Sequence, residues 1–222
     1  MMLSLYDWSE PIRFPENQIQ VLVIEHHRHF RRILELFLYG LHGEEVELHL
    51  TDTKLHLLPF HKNVELIFNP FEMGFQNKKL IGRLQEELTA SAQDLEEETA
   101  LLLSQLNAFA GRLALDSVYP LSFSGMQSVS QLIKSLDFSV DSKDLSVPEQ
   151  ILEYMKLCRE LLGKRLFVFV NLKCFLDAEE LERFYQSVFY EKYSLLLLES
   201  AQGKYISGET VRIIDDDLCE IS

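Results

Sequence analysis

The chain has 222 residues, 47% hydrophobic and 25% charged, which is ordinary for a globular protein and long enough for one large domain or a domain with a substantial insertion. Its formal net charge of −14 argues against nucleic-acid binding by the whole surface. A local basic patch stays open, because charges act over about 10 Å at moderate salt.

The cysteines and apolar segments indicate the cellular setting. Cys158, Cys174 and Cys219 have neither metal-ligand nor redox spacing, and we expect reduced thiols. No apolar segment approaches the roughly 20 residues that span a bilayer, and no N-terminal stretch has the pattern of a signal peptide. We therefore expect a soluble, cytoplasmic protein without membrane association.

The N-terminal third predicts strands around one helix. IQVLVIE, which starts at Ile19, is a near-continuous apolar run typical of a strand covered on both faces. Apolar residues at helical spacing from Phe30 to Leu41 predict a helix that Gly43 stops. Apolar and polar residues alternate at residues 45–52 and predict a half-exposed strand. Residues 63–70 predict a further strand, which a proline ends.

The middle of the chain predicts a helical insertion. Leucines repeat at three-, four- and seven-residue steps between residues 77 and 115, which is an amphipathic helix pattern. An unbroken helix of that length would extend roughly 58 Å at 1.5 Å per residue. We therefore expect it to protrude or to fold back near Ser91. A loop at residues 119–125 and a short helix follow, so the insertion is predicted at residues 71–140 and the head at residues 1–70 and 141–222.

The C-terminal third predicts alternating helices and strands. Ser146 and Glu149 form a capping-box pattern with a proline in the first turn, and Asp177 and Glu180 repeat the cap. Residues 165–171, 194–200 and 209–217 predict strands, the last being the final one. This alternation predicts an α/β fold with a mostly parallel sheet and helices on both faces.

Enzyme signatures are missing from the expected places. The strand-to-helix junction VLVIEHHRHFRR, residues 21–32, contains no glycine, and neither GxxxxGK[ST] nor GxGxxG occurs. Glu25 is the single acid at this junction, too few for a phospho-receiver. Ser200 and Cys174 follow strands but lack a nucleophile elbow. We expect no catalytic residue.

The histidines after the first buried strand do not predict a metal site. His26, His27 and His29 diverge by about 100° per residue on a helix, whereas two ligands need a spacing of three or four. We expect these side chains to be solvated or at the edge of the core, and we assign no metal ligand.

Basic residues concentrate at a few positions, although a solvated surface would also explain them. Residues 76–83 hold three bases and no acid, whereas residues 85–98 hold six acids and no base. If copies assembled with the basic ends inward, they would form a positive channel inside an acidic shell. The candidate positions are Arg28, Arg31, Arg32, Lys78, Lys79, Arg83 and Lys134.

An ordered set of segments resembles a known family. EPI at residues 10–12, VLVIE, LIKSL at 132–136, KRLFVFVNLKCFLDAEEL, LLLLES and the ending IIDDDLCEI occur in that order. Together they resemble the small accessory spacer-adaptation protein of type II-A CRISPR systems, the ring-forming Csn family that binds duplex DNA ends.

The resemblance implies a fold and a function. The fold is a phosphate-loop-ATPase-like head that has lost its nucleotide site, with an inserted α-helical leg. The implied function is spacer acquisition as a homotetrameric ring that binds double-stranded DNA ends without sequence preference, together with the integrase pair and the RNA-guided effector nuclease. We predict DNA backbone contacts from Lys78, Lys79, Arg83 and Lys134, with the Arg28, Arg31 and Arg32 cluster behind them. The alternative is a protein-interaction scaffold with weak DNA contact.

Calcium is also implied by the resemblance, at an acidic stretch just before LIKSL. Here residues 113–125 contain Asp116 as their only acid, whereas calcium prefers several carboxylate oxygens. The acidic run at residues 94–98 is a second place for calcium or a solvated helix face.

Overall fold

The computed structural model describes residues 1–75, 77–141 and 144–221, which fold as two compact units. The first unit, the head, is formed by Met1–Gly74 and Ser142–Ser222, and the second, the leg, by Phe75–Asp141. The domain boundaries predicted at residues 70–71 and 140–141 stay a prediction, since residues 76, 142 and 143 near them lie outside the described part of the chain.

The strands of the described residues are β1 (Met2–Ser4), β2 (Ile12–Arg13), β3 (Ile19–Ile24), β4 (His49–Thr51), β5 (Val64–Ile67), β6 (Leu166–Val170), β7 (Ser194–Glu199), β8 (Glu209–Ile214) and β9 (Glu220–Ile221). The main sheet of the head has six of them in the order β5-β6-β7-β3-β8-β9. All neighbouring pairs are parallel except β8 and β9. The predicted α/β fold with a mostly parallel sheet is therefore confirmed.

Two predictions about strands are corrected by the structure, the first of them by a second, antiparallel sheet of order β2-β1-β4. The strand predicted at residues 45–52 is only three residues long, and it pairs with the N-terminal β1 through Leu3 opposite Leu50. The strand at the start of residues 209–217 is not the final one, because the chain turns back at Asp215 and β9 pairs with it. β4 depends on a partner that is distant in sequence, and β9 is a two-residue strand, so neither shows a clear local strand pattern.

The helices of the described residues are α1 (His27–Leu41), α2 (Phe60–Asn63), α3 (Lys78–Ser91), α4 (Glu96–Leu115), α5 (Val129–Ser135), α6 (Val147–Leu162) and α7 (Ala178–Tyr190). They follow the predicted order except for α2, a helix of 4 residues that the sequence does not predict. The long helix is interrupted where expected, because α3 ends at Ser91 and a 3₁₀ turn at Ala92–Leu95 separates it from α4. Both predicted capping boxes form, and Gly163 ends α6 in the left-handed conformation at φ 69°.

Both faces of the main sheet are packed, as alternating side chains of buried parallel strands require. On one face, Leu22 and Ile24 join a core with Ile33 and Phe37 of α1 and with residues of the small sheet. On the other face, Phe169 meets Phe184 of α7 edge to face, with ring centroids 6.3 Å apart. The sheet thus forms the middle layer of the head.

Candidate nucleic-acid interface

The first turn of α3 carries the densest positive charge of the leg. The Asn77 side chain caps the helix by accepting a 2.8 Å hydrogen bond from the backbone N–H of Lys79. Lys78 and Lys79 are exposed, and no acid lies in this turn. The helix N-terminus adds roughly half a positive charge at the same place. Side chains and backbone therefore favour an anion here.

The other two predicted leg residues belong to the same helical layer. α3 packs against α5, to which Leu80 and Ile133 contribute buried side chains. Lys134, next to Ile133, is exposed. Within residues 77–141, neither Lys134 nor the two lysines of α3 has an ion-pair partner. Arg83 differs, because its guanidinium contacts the Glu86 carboxylate at 2.7 Å.

The three arginines of α1 are not equivalent. Arg32 bridges two carboxylates, with 2.7 Å from Nη1 to Asp7 and 3.1 Å from Nη2 to Glu47. Arg31 lies 3.7 Å from Glu35 one turn along the helix, whereas Arg28 is exposed and has no ion-pair partner in the described residues. Arg32 therefore ties α1 to the segment that follows β1 and to the segment that precedes β4, and its charge is locally compensated.

The junction between β3 and α1 is closed by the protein's own groups. β3 lies between β7 and β8, the position at which ligands bind in open α/β sheets. Here the His26 imidazole Nδ1 accepts a 3.2 Å hydrogen bond from the backbone N–H of His29, a group that a bound phosphate would need. Burial and the Arg32 charge lower the pKa of His29. The junction is an N-capped helix start without a phosphate cradle.

We expect no ATP binding at this junction, because its capping bond is internal and no glycine allows close approach of a phosphate. Equilibrium dialysis with labelled ATP checks this. Micromolar binding would show that the interpretation is wrong.

The acidic side chains near the two places considered for calcium take local helical positions. No group of three or more His, Cys, Asp or Glu side chains in the described residues could hold a metal ion. Asp116 caps the C-terminal end of α4. The carboxylates of Glu96, Glu97 and Glu98 lie in the first turn of α4, where their negative charge interacts favourably with the helix dipole.

A buried polar cluster in the head escaped the sequence analysis. The Lys173 ammonium lies 2.8 Å from the Glu209 carboxylate, which also accepts a 2.6 Å hydrogen bond from the Tyr185 hydroxyl. Glu199, at the end of β7, is 3% exposed and accepts a 3.2 Å bond from the backbone N–H of Lys173. In the sequence, this cluster is indicated only by Glu199, an acid at the end of the apolar run LLLLES. Its partners are distant in sequence, so the pattern does not show them.

The free energy of unfolding should depend on pH through the ionisation of Glu199. Burial, partly offset by hydrogen bonding and the charge of Lys173, raises the pKa of Glu199 from 4.5 to about 7. Between these two values the folded chain binds one proton more than the unfolded chain, so the free energy of unfolding falls as pH rises through the window. Glu199→Gln removes the ionisation and should stabilise the protein by on the order of 2 kcal/mol above the window.

Urea denaturation at about pH 5 and about pH 8 measures this difference. The matched control is Glu182→Gln, an exposed position on α7 that should change little at either pH. Equal stability differences for Glu199→Gln at both pH values would contradict the assignment.

Comparison with known proteins places the chain in a family. The family model described as CRISPR-associated protein (Cas_Csn2) matches residues 42–218, well over half of the chain. The structure itself is that of an α/β protein with a second, helical unit. The chain belongs to the Csn2 family of CRISPR-associated proteins, as the sequence predicts.

Two solved structures were also matched. A dimeric bacterial ABC transporter cassette is 10% identical, with a TM-score of 0.36, and covers 90% of this chain and 86% of its own. An ABC transporter ATP-binding protein from Pyrococcus furiosus is 7% identical, with a TM-score of 0.39, and covers 95% and 97%. At these scores the likeness supports no conclusion about function. Within the described residues, no helix is both long and apolar enough to cross a membrane.

Proposed function

We propose that this protein binds ends of double-stranded DNA, without sequence preference, as a homotetrameric ring in CRISPR spacer acquisition. Membership of the Csn2 family supports a CRISPR-associated role. The observation that carries the DNA-binding step is the group of exposed lysines without ion-pair partners in residues 77–141, namely Lys78, Lys79 and Lys134. The protein has no catalytic role in this proposal, and its partners are the integrase pair and the RNA-guided effector nuclease.

The charge distribution explains why several copies are needed. The whole chain carries a net charge of −14, so a single copy repels a polyanion at long range. Lysines of several copies that face one hole place many cations within a Debye length of the same duplex. Contacts of this kind go to phosphates, which position DNA but carry no sequence information.

The leg also carries the surface that favours self-association. α4 is 20 residues long and contributes no buried residue. Exposed apolar side chains along it include Leu101, Phe109, Leu113 and Leu115, at 61%, 53%, 55% and 85% exposure. Apolar surface of this extent is typical of an interaction site. In our proposal other copies of the chain cover it.

A gel-shift assay with linear and closed-circular duplexes of equal length tests the proposal. A ring that loads at ends retards the linear duplex and leaves the circle unshifted. Each phosphate contact should add about 0.9 to the slope of log affinity against log salt. Equal retardation of both forms would contradict end loading, and retardation of neither would favour the scaffold function.

A further inference from the structure

The strap, residues 201–205, is an exposed, irregular segment of the head between β7 and β8. Its backbone makes a single hydrogen bond to the rest of the described chain, 3.0 Å long, from the Lys173 ammonium to the Lys204 carbonyl oxygen. The Lys173 side chain also supports Gly203, where an added Cβ would lie 3.1 Å from the Lys173 Cδ. Between its two ends, the strap therefore depends on one lysine for its hydrogen bonding.

All three N–H donors of the Lys173 ammonium are used. Besides the strap carbonyl, the ammonium contacts Oε1 and Oε2 of Glu209, at 2.8 Å and 2.9 Å. The Glu209 side chain is fully buried and also accepts hydrogen bonds from the Tyr185 hydroxyl and the Ile206 N–H. Hydrogen bonds to a charged acceptor are stronger than those to a neutral one. The strap carbonyl is therefore the partner that Lys173 gives up at the lowest cost.

Glu199 is a second buried carboxyl group beside this lysine. It is 3% exposed and accepts a hydrogen bond from the backbone N–H of Lys173, but it forms no ion pair in the described residues. The groups that face it are Lys173 from the turn after β6, Glu209 from β8 and the Tyr185 hydroxyl from α7. Burial, as the largest cause, and the Glu209 charge raise the pKa of Glu199 to about 7, against backbone hydrogen bonding and the charge of Lys173. One cation thus faces two buried carboxyl groups.

A cavity of about 180 Å³ lies between the strap and the main sheet. Its lining includes Gln202 and Tyr205 of the strap, apolar side chains of β3 and β8, and the charged residues Glu199, Lys173 and Glu209. A water molecule occupies about 30 Å³ in the liquid, so the cavity is large enough for several waters. The Lys173 ammonium therefore has space to change partners.

We propose that the strap is a pH-sensitive element of the head, closed while Glu199 carries a proton and released when Glu199 is ionised. When the Glu199 carboxyl gives its proton to solvent, Lys173 turns one donor from the Lys204 carbonyl to the new carboxylate. The strap then moves away from the sheet, and water enters the cavity and hydrates the charge that burial disfavours. The strap shares no residue with the leg lysines assigned to DNA, so this behaviour is independent of the proposed function.

Trypsin cleavage of the full chain after Lys204, followed by mass spectrometry at early times, measures how often the strap is open. In the open form Glu199 is hydrated and has an ordinary pKa, so near neutral pH the closed form binds more protons and closure weakens as pH rises. The wild-type rate divided by the Glu199→Gln rate should rise roughly tenfold between about pH 6 and about pH 8. Because both rates are measured at the same pH, the ratio removes the pH dependence of trypsin itself.

Two controls separate the strap from the rest of the molecule. Glu182→Gln makes the same change at an exposed position of α7 and should keep the wild-type response to pH. Cleavage after Lys164, which is 9% exposed, reports unfolding of the whole head and should stay slow at both pH values. Circular dichroism verifies that the variants fold. A ratio that does not change with pH, or loss of the response in Glu182→Gln, would overturn the proposal. A rise after Lys204 that is matched after Lys164 would also overturn it, because the whole head would then open.

Discussion

Replacing Lys78, Lys79 and Lys134 together by glutamine is expected to abolish retardation of linear duplex DNA at physiological salt. These exposed lysines have no ion-pair partner in the described part of the leg, so their charges are free to meet phosphates. Each lost phosphate contact should lower the salt slope by about 0.9, which multiplies over the copies of a ring. The loss should be the same for unrelated DNA sequences, because phosphate contacts do not read bases.

A matched variant controls for net charge. Lys54, Lys62 and Lys204 are exposed lysines of the head, and their replacement by glutamine changes the charge equally. That variant should bind DNA much as the wild type does. If both triple variants lost binding to the same degree, the effect would come from overall charge, and the assignment of the leg lysines would be wrong.

Replacing Phe109, Leu113 and Leu115 together by serine is expected to break the proposed tetramer into smaller species. These residues are 53%, 55% and 85% exposed, so the substitutions remove little packing within one chain. Burial at an interface between copies would stabilise the assembly by about 1.5–3 kcal/mol for each fully covered side chain. Light scattering after size-exclusion chromatography measures the mass, and urea denaturation verifies that the monomer fold is kept.

The control for this prediction lies on the head. Tyr6, Leu55 and Leu57 are 92%, 69% and 68% exposed, and their replacement by serine changes polarity to a similar extent. We expect the mass of that variant to match the wild type. An unchanged mass for the leg variant would show that the apolar surface of α4 does not form the interface between copies.

The sequence predicted the elements whose signals are local. The apolar run from Ile19 predicted β3, and the Ser146–Glu149 and Asp177–Glu180 pairs placed the starts of α6 and α7. The break at Ser91 was expected because a longer helix would exceed a small domain. These features depend on residues within a few positions of each other, which a single sequence displays.

Features that depend on distant partners were not predictable. The small sheet joins β1 to β4 across more than forty residues. For the candidate site, the sequence alone does not distinguish Arg32 from Arg28. The structure separates them, because Asp7 and Glu47 converge on Arg32 from different segments. The fold therefore decides which basic side chains are paired with carboxylates.

The most direct test of the ring asks whether the protein is trapped on DNA by its ends. A linear duplex with biotin at both ends is first loaded with protein, and streptavidin is then added before a challenge with high salt or competitor DNA. A closed ring around the duplex predicts slow release from the blocked DNA and fast release from the same DNA with free ends. Equal release from both would contradict encirclement, and with it the account of how an acidic chain holds DNA.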